Sequence, residues 1–146
     1  MYEQLKLENQ LCFRIYTASR LITQAYRPLL EPLGLTYPKY LVMLVLWEHD
    51  NLTVNEIGKQ LGLDSNTLTP LLKRMEQDGL VVRSRGIVDA RQTLVSLTKN
   101  GRHMEAQAKE VPLCMAKCWQ GEPMSQKEVA SFTDALDKMI DTLKAQ

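Results

Sequence analysis

The segment that spans residues 53 to 79 constrains the fold more than any other part of this sequence. Thr53 is followed three residues later by Glu56, which is a capping box that starts a helix. Gly62 provides a tight turn, and Asp64 is a suitable N-cap for a second helix. The apolar residues of that helix recur at helical spacing: Leu68, Leu71, Leu72 and Met75. Two short helices joined by a glycine-containing turn predict a helix-turn-helix.

A β-hairpin is predicted directly after the second of these helices. Two runs rich in β-branched and apolar residues, Leu80–Arg85 and Gln92–Leu97, are separated by the loop Gly86–Arg91. A helix-turn-helix followed by a basic hairpin is typical of a winged helix. Residues 59–102 contain eight basic and four acidic residues, a net charge of +4, whereas the rest of the chain carries −3. This uneven charge favours a DNA-facing module, although chance produces such a distribution as well.

An amphipathic helix is predicted at the N-terminal end of the chain. Its apolar residues recur at steps of three and four: Leu7, Leu11, Ile15, Ala18, Ile22, Ala25 and Leu29. Pro28 and Pro32 end or kink this helix, and Gly34 marks a break. Thr36 then caps a second, largely buried helix that includes Tyr40–Trp47.

Two further helices are predicted after the hairpin. Thr98 caps a long helix that runs past Cys114, and Gly121 and Pro123 interrupt the chain. Ser125–Glu128 is a capping box that starts the last helix. One face of that helix is apolar: Val129, Phe132, Leu136, Met139 and Leu143.

The apolar stripes at both ends of the chain predict a partner. One small core around the winged helix cannot cover both stripes, so a two-fold dimer is the favoured solution, and a helical cap on a monomer is the alternative. We therefore expect one domain, 1–146, that is mainly α with a small β-hairpin wing. Residues 36–103 are expected to form the winged helix-turn-helix, and residues 1–35 and 104–146 to form long dimerisation helices.

Polar and basic side chains gather on the two elements expected to face DNA. The second helix of the helix-turn-helix carries six of them: Ser65, Asn66, Thr67, Thr69, Lys73 and Arg74. The hairpin carries four more: Arg83, Arg85, Asp89 and Arg91. Short polar groups contact base edges and phosphates, and an arginine at a wing tip suits a narrow minor groove. Asp89 is placed to orient Arg91. Helix capping and a solvated surface are the simpler explanations, and protein-binding winged helices are the alternative class.

Other classes of protein are disfavoured. No apolar run reaches the roughly 18 residues needed to cross a bilayer, and the first residues lack a signal-peptide pattern, so we expect a cytoplasmic protein. Cys12, Cys114 and Cys118 are an odd number of cysteines, which leaves reactive thiols, metal ligands or core residues. Because His49 and His103 are isolated in sequence, we expect no catalytic residue, no metal, no cofactor and no enzyme.

Five ordered segments carry a resemblance to a known family: Leu7–Phe13, Tyr26–Leu30, Leu35–Pro38, Leu63–Glu76 and Asp89–Arg91. On these segments the chain resembles the MarR family of transcription factors, and within it the organic hydroperoxide resistance regulators. The resemblance implies a homodimeric repressor that leaves an inverted-repeat DNA operator when an organic hydroperoxide oxidises an N-terminal cysteine. Lys39 and Asn66 depart from the Gln and Gly that are more usual there.

The resemblance also implies roles for particular residues. Cys12 occupies the sensing position, and Tyr26 and Tyr37 occupy the positions of tyrosines that hydrogen-bond the thiolate. Some members of the family form a mixed disulfide with a small thiol, whereas others close a disulfide across the dimer. Cys114, or alternatively Cys118, matches the resolving cysteine of the second group. A repressor that does not use redox chemistry, released by a small aromatic ligand in the dimer crevice, is the rival function.

The spacing of two of these residues restricts the geometry of the sensor. Cys12 and Tyr26 are 14 residues apart, and that separation is about 21 Å along one helix. A tyrosine side chain does not span this distance. Either the helix breaks sharply near Tyr26, or the tyrosine comes from the other subunit.

Overall fold

Seven α-helices and three short strands make up the described residues, 1–118 and 124–146, of the computed structural model. Their bounds are α1 Leu11–Leu30, α2 Tyr37–Glu48, β1 Leu52–Thr53, α3 Val54–Leu61, α4 Ser65–Gln77, β2 Val81–Arg85, β3 Thr93–Leu97, α5 Lys99–Ala108, α6 Glu110–Cys118 and α7 Gln126–Lys144. The chain divides into two compact units, Met1–Val111 and Pro112–Gln146. The interruption expected at Gly121 and Pro123 lies outside the described residues.

The N-terminal helix begins later than its apolar stripe predicts. Leu7 lies outside α1, in the second of two short 3₁₀ turns, Glu3–Leu5 and Leu7–Asn9. Polar side chains satisfy the carbonyls of these turns: the Asn9 amide donates to the Glu3 carbonyl at 2.7 Å, and the Gln10 amide donates to two further carbonyls. These side-chain bonds replace the helical ladder there, so the inclusion of Leu7 in the helix was wrong.

The other end of α1 is close to where the prolines predict it. Pro28 lies inside the last turn, and the helix ends at Leu30. A 3₁₀ turn, Glu31–Leu33, follows. Gly34 has φ 69°, a left-handed conformation that favours glycine and confirms the predicted break.

The helix-turn-helix forms as its capping residues predict. Thr53 and Glu56 make a capping box at the start of α3, and Gly62 ends α3 with φ 68°. The Asp64 carboxylate accepts a hydrogen bond of 2.8 Å from the Thr67 N–H at the start of α4. The predicted inner face of α4 is buried: Leu68, Leu71, Leu72 and Met75. These residues join one core with the buried face of α2: Tyr40, Val42, Met43, Val45 and Leu46.

The predicted hairpin is part of a three-stranded antiparallel sheet with the order β1-β3-β2. Val81 pairs with Leu97 and Arg85 with Thr93, so the two long strands are in full register. The short strand β1 was not predicted from the sequence. It forms because Asn51, with φ 60°, turns the chain back and sets Leu52 opposite Val95.

The helix after the hairpin is interrupted, whereas the sequence predicted a continuous one. Thr98 caps α5 through the Gly101 N–H, as expected. The helix then ends at Ala108, and α6 starts at Glu110. Pro112 explains the interruption, since it has no N–H to donate to the Ala108 carbonyl four residues earlier.

The described part of the second unit contains the helix α7. Its predicted capping box is present, with Ser125 accepting from the Glu128 N–H and the Glu128 carboxylate accepting from the Ser125 N–H. No residue of α7 is buried, and its apolar residues Phe132 and Leu143 are 50% and 61% exposed. An apolar stripe left in water along a long helix is unusual for an isolated chain.

By length and hydropathy, no single helix within the described residues is suited to crossing a membrane. In that part of the chain, one pair, Leu11–Leu33 and Tyr37–Glu48, which meet at a bend of 69°, passes the same criteria when taken together. The second member of this pair, α2, contributes five residues to the buried core.

The winged helix-turn-helix with long terminal helices that the sequence predicts is thus the fold of the chain.

Candidate nucleic-acid interface and thiol site

The start of α4 presents an exposed polar surface. Ser65, Asn66 and Thr67 are exposed, and Thr69 is half-buried, with its hydroxyl donating to the Ser65 carbonyl at 2.7 Å. Hydrogen bonds from Thr67 hold the pKa of the Asp64 carboxyl below its usual value, so Asp64 is ionised at neutral pH. The cap is therefore satisfied by Asp64, and the exposed side chains of Ser65 and Asn66 are accessible to another molecule.

Lys73 and Arg74 lie one to two turns further along α4. Both are exposed. The Arg74 guanidinium makes only a long contact of 3.4 Å with the Pro70 carbonyl. The helix α4, which is the recognition helix expected of a helix-turn-helix, thus carries its two cations on the solvent side, opposite the buried leucines.

A polar groove of about 390 Å³ lies between the helix-turn-helix and the wing. Ser65 and Thr69 line one side, and Asp89 and Arg91 line the other. The groove also includes five residues that sequence reasoning missed: Thr53, Val54, Asn55, Gln92 and Thr93. Thr53 and Asn55 lie at the start of α3, where helix N–H groups favour an anion, and the capping box was the only sequence signal for them.

Arg83 and Arg85, both on β2, differ in how firmly they are held. The Glu76 carboxylate on α4 accepts from the Arg83 N–H at 2.9 Å and from its guanidinium at 3.2 and 3.3 Å. These bonds from Arg83 lower the pKa of Glu76. Arg83 therefore braces the wing against α4, whereas Arg85 is exposed.

Arg91 lies on the wing with a side chain that is 92% accessible. Its N–H donates to the Asp89 carboxylate at 3.0 Å, and its guanidinium does so at 3.2 Å. These hydrogen bonds lower the pKa of Asp89. The predicted orientation of Arg91 by Asp89 is present, and the exposed Arg91 side chain lines the groove.

Cys12 is the second residue of α1 and is exposed as a free thiol. The helix continues without interruption from Leu11 to Leu30. The first of the two geometric alternatives, a sharp break near Tyr26, is therefore excluded. Within one chain, Tyr26 lies too far along α1 to touch Cys12.

Tyr26 and Tyr37 lie together although they come from different helices. Their ring centroids are 4.8 Å apart, and Tyr40 completes the cluster at 5.7 Å from Tyr26. Burial raises the pKa of Tyr26, and the neighbouring Tyr37 raises it further. The Tyr26 hydroxyl is therefore protonated at neutral pH and is available as a hydrogen-bond donor. Tyr40 is only 2% exposed, which agrees with a packing role.

Cys114 and Cys118 lie on successive turns of α6. Cys114 is half-buried, Cys118 is exposed, and both thiols are free. The Cys118 thiol contacts the Cys114 carbonyl oxygen at 3.6 Å. Side chains four residues apart on a helix are about 5–6 Å apart at Cβ, whereas a disulfide needs about 3.5–4.5 Å, so the pair is not set for a bridge to each other.

A second concave region lies beside the tyrosine pair. It is a hollow of about 220 Å³ lined by Thr23, Arg27, Leu30, Glu31, Leu35, Thr36, Tyr37 and Pro38. Among residues 1–118 and 124–146, no cluster of three or more His, Cys, Asp or Glu side chains is arranged to hold a metal ion.

Comparison with known proteins identifies relatives over nearly the whole chain. The family model for the transcriptional regulator SarA/Rot matches residues 24–107. The organic hydroperoxide resistance transcriptional regulator of Bacillus subtilis (strain 168) is 49% identical over 135 residues, which cover 90% of this chain and 91% of that protein. Reduced AbfR bound to DNA has a TM-score of 0.80 and 40% identity, over 99% of this chain and 100% of that one. Disulfide-formed AbfR has a TM-score of 0.66 and 42% identity, over 94% and 95%. AbfR is from Staphylococcus epidermidis.

The winged helix and its exposed polar face define a DNA-binding transcriptional regulator. The matches are long and continuous, and they cover the N-terminal helix as well as the winged helix. The chain belongs to the SarA/Rot family of transcriptional regulators, in the group that includes the organic hydroperoxide resistance regulator of Bacillus subtilis. The resemblance drawn from the sequence is confirmed.

Proposed function

We propose that this chain forms a cytoplasmic homodimer that represses transcription by binding an inverted-repeat operator, and that oxidation of Cys12 by an organic hydroperoxide releases the DNA. One observation carries the redox part of this proposal. Cys12 is exposed on an unbroken helix, and the tyrosine pair is out of its reach within the same chain. A dimer brings Tyr26 and Tyr37 of one subunit to Cys12 of the other.

The apolar faces left in water support the dimer. Leu11, Phe13 and Leu21 on α1 are 58%, 43% and 50% exposed. The apolar face of α7 is similarly exposed. An isologous two-fold interface removes such apolar faces from water in both subunits. An interface that uses α1 brings Cys12 close to the partner subunit.

The chemistry begins with the thiolate, because the protonated thiol is a poor nucleophile. Hydrogen bonds donated by Tyr26 and Tyr37 stabilise the Cys12 anion. The thiolate sulfur attacks one peroxide oxygen, the O–O bond breaks, and the leaving alkoxide takes a proton to become an alcohol. Cys12 becomes a sulfenic acid. A second thiol, Cys114 or alternatively Cys118 of the partner, then attacks that sulfur and forms a disulfide with loss of water.

DNA binding follows from the polar groove and its two sides. The exposed start of α4 enters the major groove, with Ser65, Asn66, Thr67 and Thr69 near base edges and Lys73 and Arg74 near phosphates. Arg91, oriented by Asp89, reaches the adjacent minor groove, and Arg85 contacts the backbone. Arg83 contributes mainly by fixing the wing, because Glu76 already holds it.

A short series of contacts connects the tyrosines to the recognition helix. Tyr37 is the first residue of α2. Lys39, two residues later, makes an ion pair of 2.7 Å with Asp78, which is the C-cap of α4. A displacement of the start of α2 therefore acts on the end of α4. Since two recognition helices must match the helical repeat of DNA, a small change in their orientation weakens binding.

The test is a mobility-shift assay with inverted-repeat DNA selected by the reduced protein, with and without an organic hydroperoxide. The parent protein is expected to dissociate on oxidation, and Cys12→Ser is expected to remain bound. Because we propose a sensor and not an enzyme, peroxide consumption without an added reductant is expected to stop near one equivalent per Cys12. If Cys12→Ser dissociates like the parent, Cys12 is not the sensor.

A second candidate function is favoured by the hollow beside Tyr37. Its lining combines Arg27 and Glu31 with apolar residues such as Leu30 and Leu35, which suits a small aromatic ligand. In this case the ligand releases the DNA without redox chemistry. Cys12→Ser would then respond to the ligand as the parent does.

A further inference from the structure

The tip of the wing carries two apolar side chains that the proposed function does not use. Ile87 and Val88 are both fully exposed to water. Isolated surface aliphatic residues are common. Two adjacent, fully exposed β-branched residues at the end of a basic hairpin are better suited to binding, because their side chains have few rotamers and lose little entropy on binding.

The loop that presents these residues is closed by backbone hydrogen bonds. The Gly86 N–H donates to the Gln92 carbonyl at 2.9 Å, and the Gln92 N–H donates to the Asp89 carbonyl at 3.1 Å. A Cβ at Gly86 would lie 2.5 Å from the Asp89 carbonyl oxygen, so the closure requires glycine. The bonds between Arg91 and Asp89 fix the far side of the loop. Ile87 and Val88 are therefore held at the end of a braced loop.

The position of the loop indicates what it meets. Asp89 and Arg91 line the same groove as Ser65 and Thr69 of the recognition helix, whereas Ile87 and Val88 are not among the residues that line it. The tip is therefore part of the same loop as two residues of this groove, and it lies outside the lining of the groove. Arg85 and Arg91 flank the tip along the chain, and Arg91 hydrogen-bonds Asp89, which is the one carboxylate of the loop 86–91. This surface is complementary to an anionic polymer whose own surface has apolar parts.

We propose that Ile87 and Val88 enter the DNA minor groove together with Arg91 and pack against its deoxyribose walls, so that they select a narrow, A·T-rich groove at the flanks of the operator. This inference rests on the proposed DNA-binding function. In a narrow groove the sugar walls are close enough for two aliphatic side chains to lose their water on both sides. The guanine amino group in the groove floor obstructs this fit and weakens it. Arg91 supplies electrostatic attraction, and the apolar pair supplies a dependence on groove width.

The test uses polar substitutions and an operator that the parent protein selects from a random duplex pool. Val88→Thr and the double variant Ile87→Thr/Val88→Thr replace apolar groups by hydroxyls at the tip. Val82→Thr, a half-exposed valine on β2 five residues before Ile87, is the matched control for the same chemical change. Hydroxyl-radical footprinting of the parent locates the flanking minor grooves. Unchanged urea midpoints establish that each variant is folded.

The double variant is expected to bind the selected operator about tenfold more weakly, since each buried methylene contributes roughly a fourfold change in an equilibrium constant. Val82→Thr is expected to remain within about twofold of the parent. The salt dependence of the double variant should match that of the parent, because no phosphate contact is lost. Arg91→Ala should lower the slope of the logarithm of the binding constant against the logarithm of the salt concentration by about one for each phosphate contact removed. Replacing the flanking A·T pairs by G·C should weaken the parent much more than the double variant.

Two results would overturn the inference while leaving the proposed function intact. One is a double variant that binds the operator as tightly as the parent, which would place the exposed pair outside the DNA contact and favour a protein partner instead. The other is a loss of affinity with a reduced salt slope, which would mean that the whole wing had moved. A parent protein that selects no sequence from the pool would instead refute the proposed function itself.

Discussion

A dimer assembled from two unreactive variants is expected to regain a reactive thiol at one of its two sites. The first variant is Cys12→Ser, which keeps both tyrosines. The second is Tyr26→Phe/Tyr37→Phe, which keeps Cys12. If the tyrosines act across the dimer, a mixed dimer contains one complete site, made of Cys12 from the second variant and the tyrosines of the first. If they act within one chain, it contains none.

The expected magnitude follows from the two hydroxyl groups removed. A hydrogen bond to a charged group contributes roughly 1.5–3 kcal/mol. Removing both donors is therefore expected to destabilise the Cys12 thiolate by about 3 kcal/mol or more. Since about 1.4 kcal/mol is a factor of ten, the rate of alkylation at neutral pH is expected to fall by about 100-fold. Burial keeps the Tyr26 hydroxyl protonated, so its loss is a loss of a donor.

The assay is the rate of iodoacetamide alkylation in a background where Cys114 and Cys118 are replaced by serine. After co-refolding at equal amounts, half of the dimers are mixed, and about half of the remaining Cys12 thiols should react at the parent rate. Tyr40→Phe is the matched control, because it deletes a hydroxyl from the same aromatic cluster on a residue that is only 2% exposed. Uniformly slow alkylation in the mixture would refute the arrangement across the dimer.

Three further predictions concern the scaffold. Met43→Ala removes a fully buried side chain and should lower the free energy of unfolding by roughly 2–5 kcal/mol, read from urea denaturation. Gly58→Ala would place a Cβ 2.5 Å from the Leu63 carbonyl oxygen and should cost roughly 1–3 kcal/mol in the same assay while weakening operator binding. Hydrogen bonds from Arg83 lower the pKa of Glu76 below its ordinary 4.5, so their stabilisation is present above that pH and is lost as the pH falls through the lowered value. The urea midpoint of the parent should therefore be higher than that of Glu76→Gln near neutral pH, and this difference should disappear in acid.

Much of the fold could be predicted because its signals are local. Thr36, Thr53, Asp64, Thr98 and Ser125 each cap the helix that the sequence assigns to them. A capping side chain contacts N–H groups only two or three residues away, so the signal does not depend on the rest of the fold. The buried face of α4 was likewise readable from helical spacing alone.

The errors occurred where a local signal competed with another interaction. Leu7 fits the apolar stripe, but the side chains of Asn9 and Gln10 satisfy the backbone there in 3₁₀ turns. The two-residue strand β1 has too few residues for a period of two to be visible, and it depends on pairing with Val95, more than 40 positions away. The interruption before α6 was predictable from Pro112, and the long helical pattern on both sides concealed it.

The candidate site could be only partly predicted, because it depends on contacts between residues that are distant in the sequence. The cations of the wing and of α4 were evident from the sequence as residue types. The sequence did not show that Arg83 is held by Glu76 whereas Arg85 is exposed, because this difference depends on the bonds from Arg83 to Glu76. For the sensor, sequence reasoning reached two alternatives and no further. The unbroken α1 removes one of them, because about 21 Å of helix between Cys12 and Tyr26 leaves contact within a chain impossible. The proposed sensor site requires two copies of the chain and therefore has no local signature, since half of each contact would lie on a surface that a single sequence shows only as an unexplained apolar stripe.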